Sequence, residues 1–556
     1  MQDFKEYDPK TVIENSIQYF GGDELAATTW YNKYCLKRKL LSGEEIPLES
    51  SPADMHKRLA RELARIESKY PNPMSEDLIY SLLENFKYII PQGGSMSGIG
   101  NSLSIQSLSN CFVVGNKKGT DSYGGIFKID EELVQLMKRR GGVGTDLSDL
   151  RPYGTKVTNA AKTSSGLVSF MERYSNSTRE VAQEGRRGAL MLSCSIKHPD
   201  SEKFIDAKVD TTKVTGANVS VKITNEFMKC VRDKKPYLQV YPIFSDYIPT
   251  STEMELLKFD EIVEKEYKGR TIYLKKVDAN KIWDKIIHNA WKSAEPGILF
   301  WDKILQESPA DCYADYGFET VSTNPCGEIP LCPYDSCRLF AINLYSYVVN
   351  PFTPDAYFDY DKFMQHSMYA QRLMDDMVDL ELEKIDEILE KIENDPEEDS
   401  VKRVERDLWT KVKAQTSKGR RTGLGVTAEG DMLAALNLTY ASEEAIQTSI
   451  KVHRTLAISS YSESIMMGKE RGCFEVWNKN LEKNNPFLNR VLAELPKSVK
   501  EIYYKTGRRN ISTLTLAPTG TTSKYRCVPL RCSASATIFP CSISTSAPNA
   551  RNPFKC

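Results

Sequence analysis

The chain has 556 residues, 40% of them hydrophobic and 27% charged, with a formal net charge of −1. This composition excludes a fibrous or wholly disordered chain and fits a globular protein of several domains or one large barrel. It also gives no overall basic field for nucleic acid or an anionic membrane. No apolar run reaches the ~18–20 residues of a membrane-spanning helix. The opening MQDFKEYDPKTVIENS is polar where a secretion signal needs an apolar core, so a cytoplasmic location is expected. Most of the thirteen cysteines would be reduced there, and any disulfide would be catalytic or transient.

Residues 1–90 read as helical. GDELAATTWYNKYCLK and SPADMHKRLARELARIESKY repeat apolar residues at helical spacing, and Ser51-Pro52 supplies an N-cap and a first-turn proline. A Gly/Ser-rich loop follows, PQGGSMSGIGNSLSIQSLSNCFVV, of a kind that passes close to a ligand. It enters an apolar run at Asn110-Cys111; a surface loop and an inert buried thiol are the alternatives. IDEELVQLMKRR predicts a helix with glutamates in its first turn and cations in its last, as the macrodipole favours. Gly141-Gly142 ends it. The GGVG that follows lacks Walker spacing and is a weak nucleotide signal.

Gln183-Glu184-Gly185-Arg186-Arg187-Gly188 reads as a basic turn between glycines. ALMLSCSI and ANVSVKIT read as buried strands, and NKIWDKIIHNAWKSAE as a helix. Strand–helix alternation of this kind predicts an α/β barrel. In Asn324-Pro325-Cys326-Gly327-Glu328, alternate side chains of an extended segment would share a face. That sets a thiol between an amide and a carboxylate. A plain loop is one alternative. A zinc site from Cys326, Cys332 and Cys337 is another, although such sites normally add a second Cys or His pair, and none of the five histidines lies near.

Beyond Glu381 a charged, solvated helix pair is broken at Asp395-Pro396. SKGRRTGLGVTAEGDMLAAL reads as an architectural turn into a helix. A β-branched strand, Ile511 to Leu516, enters Pro518-Thr519-Gly520-Thr521-Thr522-Ser523. The hydroxyls and backbone N–H groups there suit phosphate; an ordinary strand-to-helix turn is the alternative. Residues 524–556 show neither helical nor strand periodicity and read as an atypical tail, altered or disordered.

Four motifs carry a family resemblance: SLSNCFVV (Ser107 to Val114), NPCGE (Asn324 to Glu328), DSCRLFAINL (Asp335 to Leu344) and LAPTGTTS (Leu516 to Ser523). They resemble the first redox-cysteine segment, the active-site loop, the second redox-cysteine segment and the substrate-phosphate loop of ribonucleotide reductase catalytic subunits. The short gap between NPCGE and the next redox cysteine is similar to the adenosylcobalamin-dependent branch. The resemblance covers about residues 10 to 523. It implies an α/β fold: a ten-stranded barrel around a central finger loop over 91–523, incomplete at the C-terminus, after a helical domain over 1–90.

The same resemblance implies roles. Cys326 would hold a thiyl radical, Glu328 would act as general base, and Asn324 would hold the ribose hydroxyls. Cys111 and Cys337 would supply two electrons and close to a disulfide. Asn110 and Pro518, Thr519, Gly520, Thr521, Thr522 and Ser523 would bind substrate. Asp121, Ser122, Arg140 and Arg151 would bind a nucleoside triphosphate effector, relayed through Gln183 and Arg187. Adenosylcobalamin is the implied cofactor. A ribonucleotide, an ATP or dNTP effector, a thioredoxin-like dithiol and a second copy of the chain are the implied partners; no metal, membrane or nucleic acid is. Two alternatives stay open: an inactive nucleotide-binding remnant, and a large subunit served by a separate radical-generating subunit.

Overall fold

The computed structural model of the chain describes residues 5–115, 121–183, 186–520 and 522–525. Strand β1 (Ile89–Pro91) belongs to the smaller of two sheets that build the core. The larger sheet holds β2 (Cys111–Val114), β3 (Gly142–Asp146), β4 (Leu190–Ser195), β5 (Asn218–Ile223) and β6 (Gly297–Phe300), parallel neighbours in that order. Parallel strands are covered on both faces and need apolar side chains throughout. The runs ending in CFVV and ALMLSC meet that need, and β2 and β4 are buried along their whole length.

Strands β7 (Ser322–Thr323) and β8 (Pro330–Leu331) form a short antiparallel hairpin. Next, β9 (Ser336–Cys337) pairs antiparallel with β2 at the edge of the large sheet. One residue later the chain enters the smaller sheet. There β10 (Leu339–Asn343) lies between β1, antiparallel to it, and β11 (Gly423–Thr427), parallel to it. This is the expected α/β barrel architecture; among the described residues the two sheets are not hydrogen-bonded into a closed ring. The segment read as a turn, GLGVT, is strand β11 itself.

Helices α1 (Pro9–Tyr19), α2 (Glu24–Lys33), α3 (Pro52–Glu67) and α4 (Glu76–Leu83) follow the apolar periodicity. Ser51 is the N-cap of α3 but its hydroxyl makes no capping bond. These helices share one core with the small sheet and with the helix over 360–393.

Helix α5 (Tyr123–Met137) begins earlier than IDEELVQLMKRR predicts, at Ser122, whose hydroxyl accepts the Gly125 N–H at 3.1 Å. Glu131 and Glu132 therefore fall in mid-helix, and neither terminal turn carries a complementary charge. The cap fixes this helix, not the dipole. Arg140 rather than a glycine takes the left-handed turn (φ 73°).

Helix α6 (Gly166–Glu180) packs beside α5. Helices α7 (Tyr360–Glu393) and α8 (Asp399–Gly419) are separated by a break at 394–398, as expected. The pair is not wholly solvated. Ile385, Ile388 and Ile392 meet Leu408, Trp409 and Val412 in the core that also packs on the large sheet. Helix α9 (Glu443–Arg471) completes the cover of the small sheet.

The expected strand from Ile511 to Leu516 is an extended segment with one parallel bridge, Leu514 to Leu424. It does hydrogen-bond to β11: Leu424 N–H donates to Thr513 O at 2.9 Å and Thr515 N–H to Leu424 O at 3.1 Å. Among the described residues no helix is long and apolar enough to cross a membrane.

Candidate active site

The β7–β8 hairpin carries NPCGE at its tip, and the tip is not extended. Gly327 takes φ 80° and donates its N–H to Asn324 O at 3.0 Å. Asn324 closes the turn further, its Oδ1 accepting the Ile329 N–H at 3.1 Å. This overturns the expectation that Asn324, Cys326 and Glu328 share a strand face. A left-handed residue reverses the chain, so Asn324 is buried while Cys326 projects outward and is exposed.

The hairpin can lie on the large sheet because β3 lacks side chains where it crosses. A Cβ on Gly144 would collide with the Thr323 carbonyl oxygen, and one on Gly142 would come within 2.9 Å of Pro325 Cγ. GGVG is thus a close-approach strand and not a phosphate loop. Buried polar groups hold the hairpin's base. Lys222 Nζ donates to Val321 O at 3.0 Å and pairs with Asp146 at 2.8 Å. Ser193 Oγ links Asp146 (2.9 Å) to Ser322 Oγ (2.8 Å), and Asn218 Nδ2 donates to Pro325 O at 2.8 Å. Sequence reasoning missed these residues. The available signal was a lone charge, Lys222, inside the short apolar run NVSVKI.

Cys111 stands directly opposite Cys337 in the β2–β9 register. Such antiparallel partners have Cα atoms roughly 4.5–5.5 Å apart, inside the roughly 4.4–6.8 Å range a disulfide needs. Asn324 Nδ2 donates to Cys111 Sγ at 3.2 Å. Burial pushes the Cys111 thiol well above its ordinary value, and the neighbouring Glu328, Cys337 and Cys326 raise it further. Burial lifts Cys337 to about 12 against the pull of Arg338 and Arg421. Cys326 opens outward, yet the protein around it removes enough water to lift its thiol to about 12, with Glu328 adding to the effect. All three sulfurs therefore carry hydrogen at neutral pH.

Burial also raises the Glu328 carboxyl, with the Asn324 amide partly offsetting it. Glu328 Oε2 is buried without a hydrogen-bond partner. Such an acceptor awaits a donor the chain does not supply. The arrangement can hold a polyol, move a proton and pass hydrogen among sulfurs.

Neighbouring loops are anchored to this point. Asn110 Oδ1 accepts the Gly94 N–H at 2.7 Å, tying the Gly/Ser loop to β2. Buried Glu381 accepts from Ser107 Oγ (2.6 Å), Leu108 N–H (2.6 Å) and Ser109 Oγ (2.9 Å). Nothing in its sequence context separates it from its solvated glutamate neighbours. Thr515 Oγ1 donates to Glu328 O at 3.2 Å, which brings the start of the expected phosphate loop to the hairpin tip. Beyond it Pro518 and Thr519 are half-buried, Gly520 is exposed and Thr522 is buried. Thr519 O accepts the Ser523 N–H (2.8 Å) and Thr522 Oγ1 (3.1 Å). Thr521 and residues 526–556 lie outside the described residues.

Cys332 faces elsewhere, accepting from Gln415 Nε2 at 3.2 Å and lying 3.6 Å from an Asp335 oxygen. Among the described residues no group of three His, Cys, Asp or Glu is placed to hold a metal ion, so the three-thiol zinc arrangement does not form.

Asp121, Ser122 and Arg151 come together in a second cleft, of about 190 Å³. Asp121 accepts Arg151 N–H at 3.0 Å, Arg151 Nε at 2.8 Å and Tyr241 OH at 3.1 Å. Arg140 is not brought there. It sits past the other end of α5, roughly 20 Å along the axis, and its guanidinium donates to Gln106 Oε1 at 3.2 Å. Gln183 and Arg187 belong to a short β-pairing, and their side chains lie outside the described set.

A family model described as the ribonucleotide reductase barrel domain matches residues 109–536, running past Ser523. The chain is 31% identical over 437 residues to the vitamin B12-dependent ribonucleoside-diphosphate reductase of Thermoplasma acidophilum, covering 78% of this chain and 46% of that protein. It is 27% identical over 493 residues to the protein of the same name from Mycobacterium tuberculosis, covering 88% and 59%. It is 26% identical over 476 residues to the ribonucleoside-diphosphate reductase subunit alpha of Chlamydia pneumoniae, covering 80% and 42%. The chain spans about half the length of the curated relatives it matches.

Proposed function

Because this chain belongs to the ribonucleotide reductase barrel-domain family, we propose that it reduces ribonucleoside diphosphates to 2′-deoxyribonucleotides by thiyl-radical chemistry. One observation carries the reading: Cys111, Cys337 and Cys326 gather with Asn324 and Glu328 at a single hairpin tip.

Each group has a task that its surroundings suit. Cys326, exposed and protonated, takes the 3′-hydrogen of the ribose once oxidised to a thiyl. Glu328, its carboxyl raised by burial and holding an unpartnered oxygen, accepts the 3′-hydroxyl proton. Asn324 fixes the sugar beside Cys111. A protonated thiol of the Cys111/Cys337 pair gives its proton to the departing 2′-hydroxyl, and the pair closes to a disulfide. The Pro518–Ser523 loop, joined to the tip through Thr515, receives the phosphates.

Two of the relatives are named as vitamin B12-dependent; the cofactor assigned to this chain is the adenosylcobalamin form, which supplies an unpaired electron when bound. The exposed Cys326 fits such a source, since its sulfur is reachable from outside while Cys111 and Cys337 are not. Cys326 would face the cofactor, and its neighbour Gly327 lies near Met191. The Asp121–Arg151 cleft is assigned to a nucleoside triphosphate effector. A thioredoxin-like dithiol and a homodimer complete the reading. The test is incubation of the purified chain with a ribonucleoside diphosphate, adenosylcobalamin and dithiothreitol. Deoxyribonucleotide formed by this chain alone supports the proposal. Product only on adding a separate radical-generating subunit rejects the cobalamin source, and nucleotide binding without product rejects the activity.

A further inference from the structure

Tyr525 opens the stretch expected as a tail, and it is completely buried. Its ring stacks on Phe86 (centroids 4.8 Å apart, planes at 24°) and on Phe20 (5.6 Å, 27°), and meets Tyr34 edge-on at 6.0 Å. Offset stacks and edge contacts at roughly 4.5–7 Å are the favoured aromatic geometries. Each of the three rings follows a helix end: Phe20 after α1, Tyr34 after α2 and Phe86 after α4. Together they make an aromatic socket in the core that the N-terminal helices share with the small sheet. The backbone bends to present one of them, since Asn85 (φ 56°) and Phe86 (φ 52°) are consecutive left-handed residues. A bulky side chain is rarely found there and persists only where its surroundings hold it.

We propose that Tyr525 is a positioning residue for the substrate's phosphates: by filling this socket it fixes the C-terminal end of the Pro518–Ser523 loop, so that the N-terminal helices set the loop's geometry. The inference rests on the reading of that loop as the phosphate site. Thr522–Tyr525 is a single 3-10 turn that packs on α2, so the last loop residues and the buried ring share one turn. At its other end the loop is tied to the hairpin tip, where Thr515 Oγ1 donates to Glu328 O at 3.2 Å. Between these anchors the loop folds on itself. Thr519 O accepts Ser523 N–H at 2.8 Å and Thr522 Oγ1 at 3.1 Å, and Gly520 O accepts Ser523 Oγ at 3.2 Å. A loop that must aim N–H and hydroxyl donors at an anion loses affinity when one end is freed, because binding must then order it.

The socket reaches the site from a second side. Phe86 leads into β1, and β1 into Gly93-Gly94, where Asn110 Oδ1 accepts the Gly94 N–H at 2.7 Å. Asn343 Nδ2, at the end of β10, donates to Phe86 O at 3.4 Å. The contact of Tyr525 with Phe86 therefore couples the expected phosphate loop to the Gly/Ser loop that leads to Cys111. Behind the socket, buried His56 lies edge-on to Phe86 at 4.6 Å, its Nδ1 bonded to Tyr19 OH at 3.2 Å. Burial lowers its imidazole to about 3, so this ring carries no charge at neutral pH. A small residue at 525 would leave a hole among these rings and nothing to hold the turn.

The test measures CDP binding to the full chain by isothermal titration calorimetry, and cytidine binding by displacement of CDP, with dATP at saturation to fill the Asp121–Arg151 cleft. Tyr525→Ala should weaken CDP by about tenfold, the loss of one well-placed charge-assisted hydrogen bond, and leave cytidine unchanged. Tyr525→Phe, which keeps the ring, should bind both as the wild type does. Undiminished CDP affinity in a folded Tyr525→Ala chain, or an equal loss for CDP and cytidine, overturns the proposal. Phe20→Leu opens the socket without touching the loop and should reproduce the CDP-selective loss; if Tyr525→Ala does not fold, this variant decides. If the wild type binds CDP no tighter than cytidine, the phosphate-loop reading itself is wrong and the inference falls with it.

Discussion

Asn324 donates its side-chain amide to the sulfur of Cys111 at 3.2 Å, joining the hairpin tip to β2, which bears one thiol of the proposed redox pair. Asn324→Ala should therefore loosen both ribose binding and the placement of Cys111. We expect kcat/KM for ribonucleotide reduction to fall by about 10²-fold, as for a misplaced reacting group, and stability to fall by about 1–3 kcal/mol because the buried Ile329 N–H loses its acceptor. Steady-state kinetics beside calorimetry checks this. An undiminished kcat/KM would remove Asn324 from the site.

Glu328→Gln removes the proposed base but keeps the side chain's shape. Loss of general-base catalysis should lower kcat by about 10²–10⁴-fold with nucleotide binding retained. The base works deprotonated and its carboxyl is held above the ordinary range by burial. The wild-type rate should thus rise with pH through that raised value, and the variant should lose this limb of the profile.

Gly144→Ala places a methyl group against the Thr323 carbonyl. The hairpin must lift or the strand must shift. Overpacking of this kind costs about 1–3 kcal/mol or more, readable as a lower urea midpoint. Because the tip moves with its base, alkylation of Cys326 by iodoacetamide should also accelerate.

Lys222→Met strands the Asp146 carboxylate, which is mostly buried, and drops the bond to Val321 O. Removing one partner of a buried pair costs roughly 3–5 kcal/mol. The double variant Asp146→Asn with Lys222→Met should recover part of that loss in chemical denaturation. Equal instability of the single and double variants would show that the pair itself is not what matters.

Glu463 on α9 gives stability a pH dependence. Burial raises its carboxyl to about 7, while Arg372 at 3.8 Å and Arg471 pull it down and Glu470 and Glu67 push it up. The folded chain therefore holds a proton that the unfolded chain releases above its ordinary value of 4.5. That contribution is complete below pH 4.5 and is lost as pH rises to about 7, by roughly 3 kcal/mol. Glu463→Gln should flatten the fall in melting temperature across this window.

The sequence by itself determined most element types, though not strand β11, and supplied the candidate reactive groups. Apolar runs such as ALMLSC read as buried strands, periodic segments such as ADMHKRLARELARI read as amphipathic helices, and short motifs singled out Cys111, Asn324, Cys326, Glu328 and Cys337 as candidates. These are local properties, and local periodicity and residue chemistry are enough to reveal them. The tertiary structure alone decided orientation and electrostatics. One left-handed glycine, Gly327, turned Asn324 inward and Cys326 outward, against the extended reading. Strand register, set by side chains distant in sequence, placed Cys111 opposite Cys337. The packing of other elements over Arg338 and Lys222 converted two ordinary cations into buried charges, because burial is a property of what packs on a residue and not of its neighbours along the chain.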